Sequence, residues 1–198
     1  MPSRAFRPEE KEIVFSAAVM PYRQITSVDE YRFDDIRPGD RVLDIGANVG
    51  GFCIRAAGMG GRVCAVEPVT TVPLLENIRA NHVSVQVITG ALGNGKPAEI
   101  RWDDCRVVSP TYTLGDLISM SGGCDFLKCD CEGAEWFINP RELEKVRRIE
   151  MEIHLPPISG PPDPALLEYI SRHYDFEINR KPCHDILGVM GVLHAERK

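Results

Sequence analysis

Residues 42–51, V-L-D-I-G-A-N-V-G-G, constrain the fold more than any other stretch of this chain. An apolar run of strand length enters a glycine-bearing turn, and the turn opens a short helical segment, Phe52–Ala57, ended by Gly58 and Gly60. In a doubly wound α/β sheet such a turn lies at the carboxyl edge of the strands, where ligands bind.

The remaining sequence continues the alternation. Strands are predicted at Arg41–Ile45, Arg62–Val66, Val83–Thr89, Asp125–Cys129 and Arg148–His154, with a closing pair at Phe176–Asn179 and Leu187–His194. Thr70 or Thr71 can cap a helix that has Pro73 in its first turn and Leu74, Leu75 and Ile78 on its apolar face. Leu114–Met120 reads as a helix stopped by Ser121-Gly122-Gly123. Asn139-Pro140 and Asp163-Pro164 each combine an N-cap with a first-turn proline, opening helices to about Val146 and to His173. Ala98–Trp102 and Arg106–Val108 form a small hairpin or insert. Strands and helices in alternation with short loops predict a mostly parallel sheet covered on both faces. Residues 1–36 read as an N-terminal helical segment, with Pro8 at its start and Ile13, Val14 and Ala17 as a stripe, ahead of a single domain over 37–198.

Composition sets limits on function. The formal net charge of -6 weighs against a broad electrostatic grip on nucleic acid. No run of 18 or more apolar residues would span a membrane. The first residues, M-P-S-R-A-F-R-P-E-E-K, lack the apolar core of a secretory signal. Seven cysteines, an odd number, with Cys53, Cys64, Cys129 and Cys131 in or beside apolar runs, fit free thiols in the cytoplasm. Cys129-x-Cys131 has no second pair to complete a zinc site, so no metal ligands are assigned from the cysteines.

The 44–50 turn discriminates between cofactor classes. Dinucleotide sites use G-x-G-x-x-G, whose second glycine lets the backbone meet a pyrophosphate. Asn48 occupies that position, and a side chain there obstructs a pyrophosphate but not S-adenosylmethionine, which has none. Gly46 and Gly50 permit the tight turn. Asp44 offers a carboxylate suited to a cationic amino group, and Glu67, ending the next strand, suits a ribose diol.

Several further motifs occur in order: V-E-P at 66–68, L-L-E-N-I-R-A-N at 74–81, A-L-G at 91–93, T-L-G-D-L at 113–117 and F-L-K-C-D-C-E-G-A-E at 126–135. Together with D-I-G-A-N-V-G at 44–50 they resemble the FkbM family of S-adenosylmethionine-dependent methyltransferases, from about Asp40 to about His194. The resemblance implies a Rossmann-like, seven-stranded class I methyltransferase fold with its last strand antiparallel. It places the cofactor over Asp44, Gly46, Ala47, Asn48 and Gly50, with Glu67 and Pro68 at the ribose and Ala91 and Leu92 beside the adenine. It implies transfer to hydroxyl oxygens of small molecules, sugars or glycans. The chain departs from the family's pattern at Gly115, where T-L-D-x-L is usual, and at Trp136–Pro140, where an apolar residue and Lys-Gly are usual.

Asp130, Glu132 and His154 are the candidate catalytic residues. Asp130 and Glu132 follow the fourth strand, with Lys128, Glu135 and Trp136 nearby. Glu150, Glu152 and His154 alternate on the fifth strand and so share one face, with His154 nearest the ligand edge. Methyl transfer to oxygen needs a proton removed and a nucleophile aligned, which carboxylates and a histidine can provide. A divalent ion held by Asp130 and its neighbours, magnesium for an all-oxygen set, is a second option. His82, His173, His184 and His194 read as structural or surface residues. Two other functions compete: an RNA methyltransferase, whose Asn-Pro-Pro-type motif is replaced by Asp130-Cys131-Glu132-Gly133, and a non-catalytic binding module, which would show an eroded 44–50 loop.

Overall fold

The computed structural model describes residues 30–102, 105–180 and 188–198. In chain order the elements are β1 (Arg41–Ile45), α1 (Gly51–Gly58), β2 (Arg62–Val66), α2 (Thr71–Ala80), β3 (Val85–Ile88), β4 (Ala91–Leu92), β5 (Ala98–Trp102), β6 (Cys105–Ser109), β7 (Thr111–Tyr112), α3 (Leu114–Met120), β8 (Phe126–Cys129), β9 (Arg148–His154), α4 (Pro164–His173), β10 (Tyr174–Asn179) and β11 (Val189–Arg197). The helix expected around Ile13, Val14 and Ala17 lies outside the described residues, as does His184.

Seven strands form one sheet in the order β10-β11-β9-β8-β1-β2-β3. Neighbours from β9 through β3 pair in parallel, and β11 is antiparallel to both β9 and β10. The last strand therefore inserts beside the edge against the common direction, as the family resemblance implied. A bulge near Val189 and Gly191 adjusts its register. Gly191 is required there, because its φ is 148° and a Cβ would stand 2.5 Å from the Asn179 carbonyl oxygen.

Buried strands present apolar residues to both layers. Leu43, Ile45, Leu127 and Ile149 face Leu114 and Leu117 of α3 and Leu166 and Ile170 of α4. Val42 and Phe126 face Phe52 and Ile54 of α1 and Leu74 and Ile78 of α2. Each such side chain, fully buried, contributes about 1.5–3 kcal/mol. Tyr31, Phe33 and Ile36 belong to the second layer, and Phe33 packs on Phe52 at 4.7 Å between ring centres. The packing therefore crosses the boundary expected at residue 36.

Two local expectations change. The helix expected from Asn139 to Val146 is a single 3-10 turn, Pro140–Leu143, although Asn139 does cap it by accepting from the Arg141 N–H at 3.2 Å. The Tyr174 hydroxyl lies 2.8 Å from the carbonyls of both Leu143 and Val146, and Leu143 also accepts from the Val146 N–H at 3.0 Å, the spacing of a 3-10 turn. At α2, Thr70 holds the N-cap position without a side-chain cap; its hydroxyl turns to Asn48 Oδ1 at 3.4 Å. At α3, Gly115 stands where the T-L-D-x-L pattern has its acid, and Asp116 follows it. Asp116 and Thr113 then form a reciprocal capping box. Ala98–Trp102 and Cys105–Ser109 do form the expected antiparallel hairpin, and β4 pairs with β7 beside it.

Candidate active site

β1 delivers the 44–50 loop to the carboxyl edge. The N–H groups of Gly46 and Ala47 both donate to the Val66 carbonyl, at 3.0 and 3.1 Å, tying the loop to the end of β2. Gly46 has φ 75°, and a Cβ there would stand 1.7 Å from the Asp130 carbonyl oxygen. Glycine is thus needed to let the exit of β8 approach the loop. Asn48 adopts a left-handed φ of 49°, a conformation asparagine tolerates better than most residues. Gly50, φ 100°, starts α1 against Leu74 and Ile54.

A solvent-open cleft lies above this edge. Gly46, Asn48, Glu67, Pro68, Ala91 and Leu92 line it, with Asp130 and Glu132 at the other end. Ala47 and Gly50 support the loop from the core side. Asp44 was expected to face a ligand's amino group, but it lies behind the loop with no exposed surface.

Glu67 is 6% exposed and organises its surroundings. Oε1 accepts from the Val69 and Thr70 N–H groups at 2.7 and 2.9 Å, and Oε2 accepts from the Asn48 N–H at 2.9 Å. A carboxylate has about four lone-pair sites, so about one, on Oε2, is left for a ligand hydroxyl. The sequence expectation of two hydroxyl contacts exceeds this geometry.

Lys128 joins the two ends of the cleft. Its Nζ lies 3.1 Å from Asp44 Oδ1 and 3.9 Å from Asp130 Oδ2, and donates to the Gly46 carbonyl at 2.7 Å. The strand register dictates this, since Asp44 and Lys128 are direct partners between β1 and β8. Burial raises the Asp44 carboxyl, and the ammonium opposes that rise. Asp44 Oδ2 has no hydrogen-bond donor among the described residues.

Asp130, Glu152 and His154 converge where β8 and β9 end. His154 Nε2 stands 4.0 Å from Asp130 Oδ1, 3.5 Å from Glu152 Oε2 and 3.5 Å from Glu132 Oε2. On the other side of the ring, Nδ1 lies 3.1 Å from Glu135 Oε1, which also accepts from the His154 backbone N–H at 2.7 Å. The Tyr31 hydroxyl donates to Asp130 Oδ2 at 2.9 Å. Burial would raise the Asp130 carboxyl, but Lys128, a hydrogen bond from Glu152 and His154 hold it below its ordinary value. Glu152 is pushed up to about 9 by burial and by the Asp130 charge. Burial would lower His154, yet the Glu135 hydrogen bond and the surrounding carboxylates raise it to about 9. At neutral pH the arrangement is therefore an ionised Asp130 beside a protonated Glu152 and an imidazolium.

The structure brings Asp130, Glu132 and His154 together with Lys128, Glu135 and Glu152, which the sequence had set nearby, and adds Tyr31. Alternation along β9 had grouped Glu152 with His154. Glu150 belongs elsewhere: it is buried against Arg148 at 2.7 Å and His194 at 2.5 Å. Nothing local in the sequence marked Tyr31. The hairpin side chains Ile100, Arg101 and Trp102 also reach the cleft.

No protein-family model matches the chain, and no curated protein matches it in sequence. Solved structures do resemble it. A Clostridium thermocellum protein provisionally assigned as an rRNA methylase superposes with a TM-score of 0.56 at 11% identity, over 87% of this chain and 93% of that one. The T. thermophilus 16S rRNA methyltransferase RsmC, in complex with AdoMet and guanosine, gives 0.51 at 16% identity, over 93% of this chain but 45% of its own length. The magnesium protoporphyrin IX methyltransferase ChlM from Synechocystis, with bound SAM, gives 0.50 at 11%, over 88% and 76%. The sheet order, the antiparallel last strand and these likenesses agree: the chain has the fold of the class I S-adenosylmethionine-dependent methyltransferases.

Proposed function

We propose that the protein is an S-adenosylmethionine-dependent methyltransferase acting on a hydroxyl oxygen of a small molecule, sugar or glycan. The observation that carries this is one cleft with a glycine-hinged loop and Glu67 at one end and the Asp130 cluster at the other. The fit to the cofactor is specific. Gly46 presents bare backbone, Asn48 fills the place a pyrophosphate would need, and Glu67 keeps a lone pair for a ribose hydroxyl. The acidic wall suits a ligand bearing a sulfonium and an ammonium. Ala91 and Leu92 supply an apolar surface for the adenine. The ordered motifs from D-I-G-A-N-V-G to K-C-D-C-E-G-A-E support membership of the FkbM family.

When bound, the cofactor supplies an electrophilic methyl group. Asp130, ionised and open to the cleft, accepts the hydrogen of the acceptor hydroxyl and orients an oxygen lone pair. His154, protonated up to about pH 9, donates and steadies negative charge instead of abstracting the proton. Glu135 fixes its ring. Tyr31 and Lys128 hold Asp130 in place.

The similar RNA enzymes favour RNA as a second acceptor class. Its phosphates would meet Asp130, Glu132 and Glu152 at the cleft, which disfavours it electrostatically. Titration calorimetry with S-adenosylmethionine, S-adenosylhomocysteine and NAD should show the sulfur compounds binding and NAD silent. Transfer of a deuterated methyl group into small-molecule, glycan and RNA fractions, read by mass spectrometry, then identifies the acceptor. Tight NAD binding with neither sulfur compound bound refutes the cofactor, and label confined to RNA refutes the acceptor.

A further inference from the structure

The ends of β8 and β9 place two carboxylates and one imidazole around a common point. One ligand atom from each of Asp130, Glu152 and His154 lies within 4.8 Å of the other two. His154 is 1% exposed, and no hydrogen bond within the described residues reaches its Nε2, which faces carboxylate oxygens. The opposite nitrogen is fixed by Glu135, itself wholly buried and held by the N–H groups of Gly133 and His154. A carboxylate behind a histidine, presenting the far nitrogen to a cluster of oxygens, is the usual outer support of a metal ligand. Charge argues the same way. Asp44, Asp130, Glu132 and Glu135 outnumber Lys128 and the imidazolium, so a cation is drawn to the region and, on binding, displaces the protons of Glu152 and His154.

We infer that Asp130, Glu152 and His154 form a binding site for a divalent first-row transition cation, with Glu135 as the support of its histidine ligand. Ligands about 2.1 Å from one ion stand about 3.0 Å apart in octahedral and about 3.4 Å in tetrahedral geometry. The present separations of 3.5 and 4.0 Å from Nε2 close to those values by small side-chain rotations. Glu132, 3.5 Å from Nε2 and half exposed, stands ready as a further ligand. The imidazole shifts preference from magnesium, expected for an all-oxygen set, toward manganese or zinc. Asp130 also lines the cleft, so open coordination positions face the acceptor. The ion's role rests on the methyltransferase reading: it would bind the acceptor hydroxyl and lower its pKa, leaving the proton to an adjacent carboxylate.

The test is a titration of the metal-stripped full chain with Mn2+, followed by electron paramagnetic resonance, without cofactor. One saturable ion per chain, displaced by Zn2+, is expected. Glu152→Gln should abolish it, and Glu135→Gln should weaken it about 10–100-fold while circular dichroism stays unchanged. Absence of saturable Mn2+ and Zn2+ binding by the wild-type chain overturns the site, as does binding that both Glu152→Gln and Asp130→Asn leave intact. S-adenosylhomocysteine calorimetry on the same sample separates the two ideas. Cofactor without metal leaves the methyltransferase reading standing alone, whereas metal without cofactor upholds the site and refutes that reading.

Discussion

Gly46→Ala is the smallest change that tests how the loop is built. The added Cβ would lie 1.7 Å from the Asp130 carbonyl oxygen, whereas real contacts do not fall below 3.0 Å, so the two backbones must part by about 1.3 Å. The left-handed φ of 75° adds about 1–2 kcal/mol of strain for an L side chain. Parting the backbones stretches the 3.0 Å bond from the Asp130 N–H to the Ile45 carbonyl beyond hydrogen-bond range, a loss of about 0.5–1.5 kcal/mol. It also disturbs the Lys128 bond to the Gly46 carbonyl, worth about 1.5–3 kcal/mol as a charged hydrogen bond. Together these effects predict roughly 3–6.5 kcal/mol of destabilisation, a large share of the 5–15 kcal/mol typical of a domain. Urea denaturation should show the lower midpoint with an unchanged slope, and thermal scans a Tm lower by roughly 6–26 °C. The same variant should lose cofactor binding. Stability within about 1 kcal/mol of wild type, with cofactor affinity intact, would refute the account of why glycine stands at this position.

Glu67→Gln leaves one oxygen to serve three N–H donors and turns an amide toward them. Cofactor affinity by calorimetry should fall at least tenfold, with about 1–3 kcal/mol lost in stability, and unchanged affinity would contradict the ribose assignment. Asp130→Asn keeps the size and removes the charge; turnover on an identified acceptor should drop by about 10² or more while cofactor affinity holds, and normal turnover would make Asp130 structural. Asp125, held by Arg41 at 2.7 and 2.8 Å, has its carboxyl lowered chiefly by that hydrogen bond. A depressed folded-state pKa stabilises above the unfolded value of about 3.9, and that stability is lost as pH falls toward the folded value. The stability gap between wild type and Asp125→Asn should therefore be widest near neutral pH and narrow below about pH 4; a constant gap would rule out the ion pair as its source.

The parts of the fold written in local pattern were legible. β2, β9 and α4 begin and end where the sequence indicated, because glycines, prolines and capping residues punctuate strongly apolar runs. The placement of the cleft-lining part of the loop and of Asp130 and Glu132 on one edge followed from the same logic, since strand ends in a parallel sheet share one edge. What could not be read was pairing across distance. Tyr31 meets Asp130 from 99 residues away, and nothing near Tyr31 in sequence announces a site. Asp44 resembles an exposed ligand-binding acid until the strand register sets Lys128 opposite it. Glu67 spends three of its four acceptor positions on neighbouring backbone, which depends on the φ and ψ of Asn48 and Val69 more than on residue identity. The 139–146 segment carries good helix-start signals, yet its backbone closes in 3-10 bonds and the tyrosine of β10 packs its hydroxyl against the last carbonyls.

The placement of Lys128 has a thermodynamic consequence. One ammonium contacts the carbonyl that shapes the loop and faces the acid at the far end of the cleft. Any shift of the loop as a ligand enters moves that charge relative to Asp130, so filling one end alters the free energy of filling the other. Linkage then requires symmetry: whatever factor the cofactor imposes on acceptor affinity, the acceptor must impose on cofactor affinity. Neutralising Lys128 should erase that mutual factor even where each ligand still binds alone.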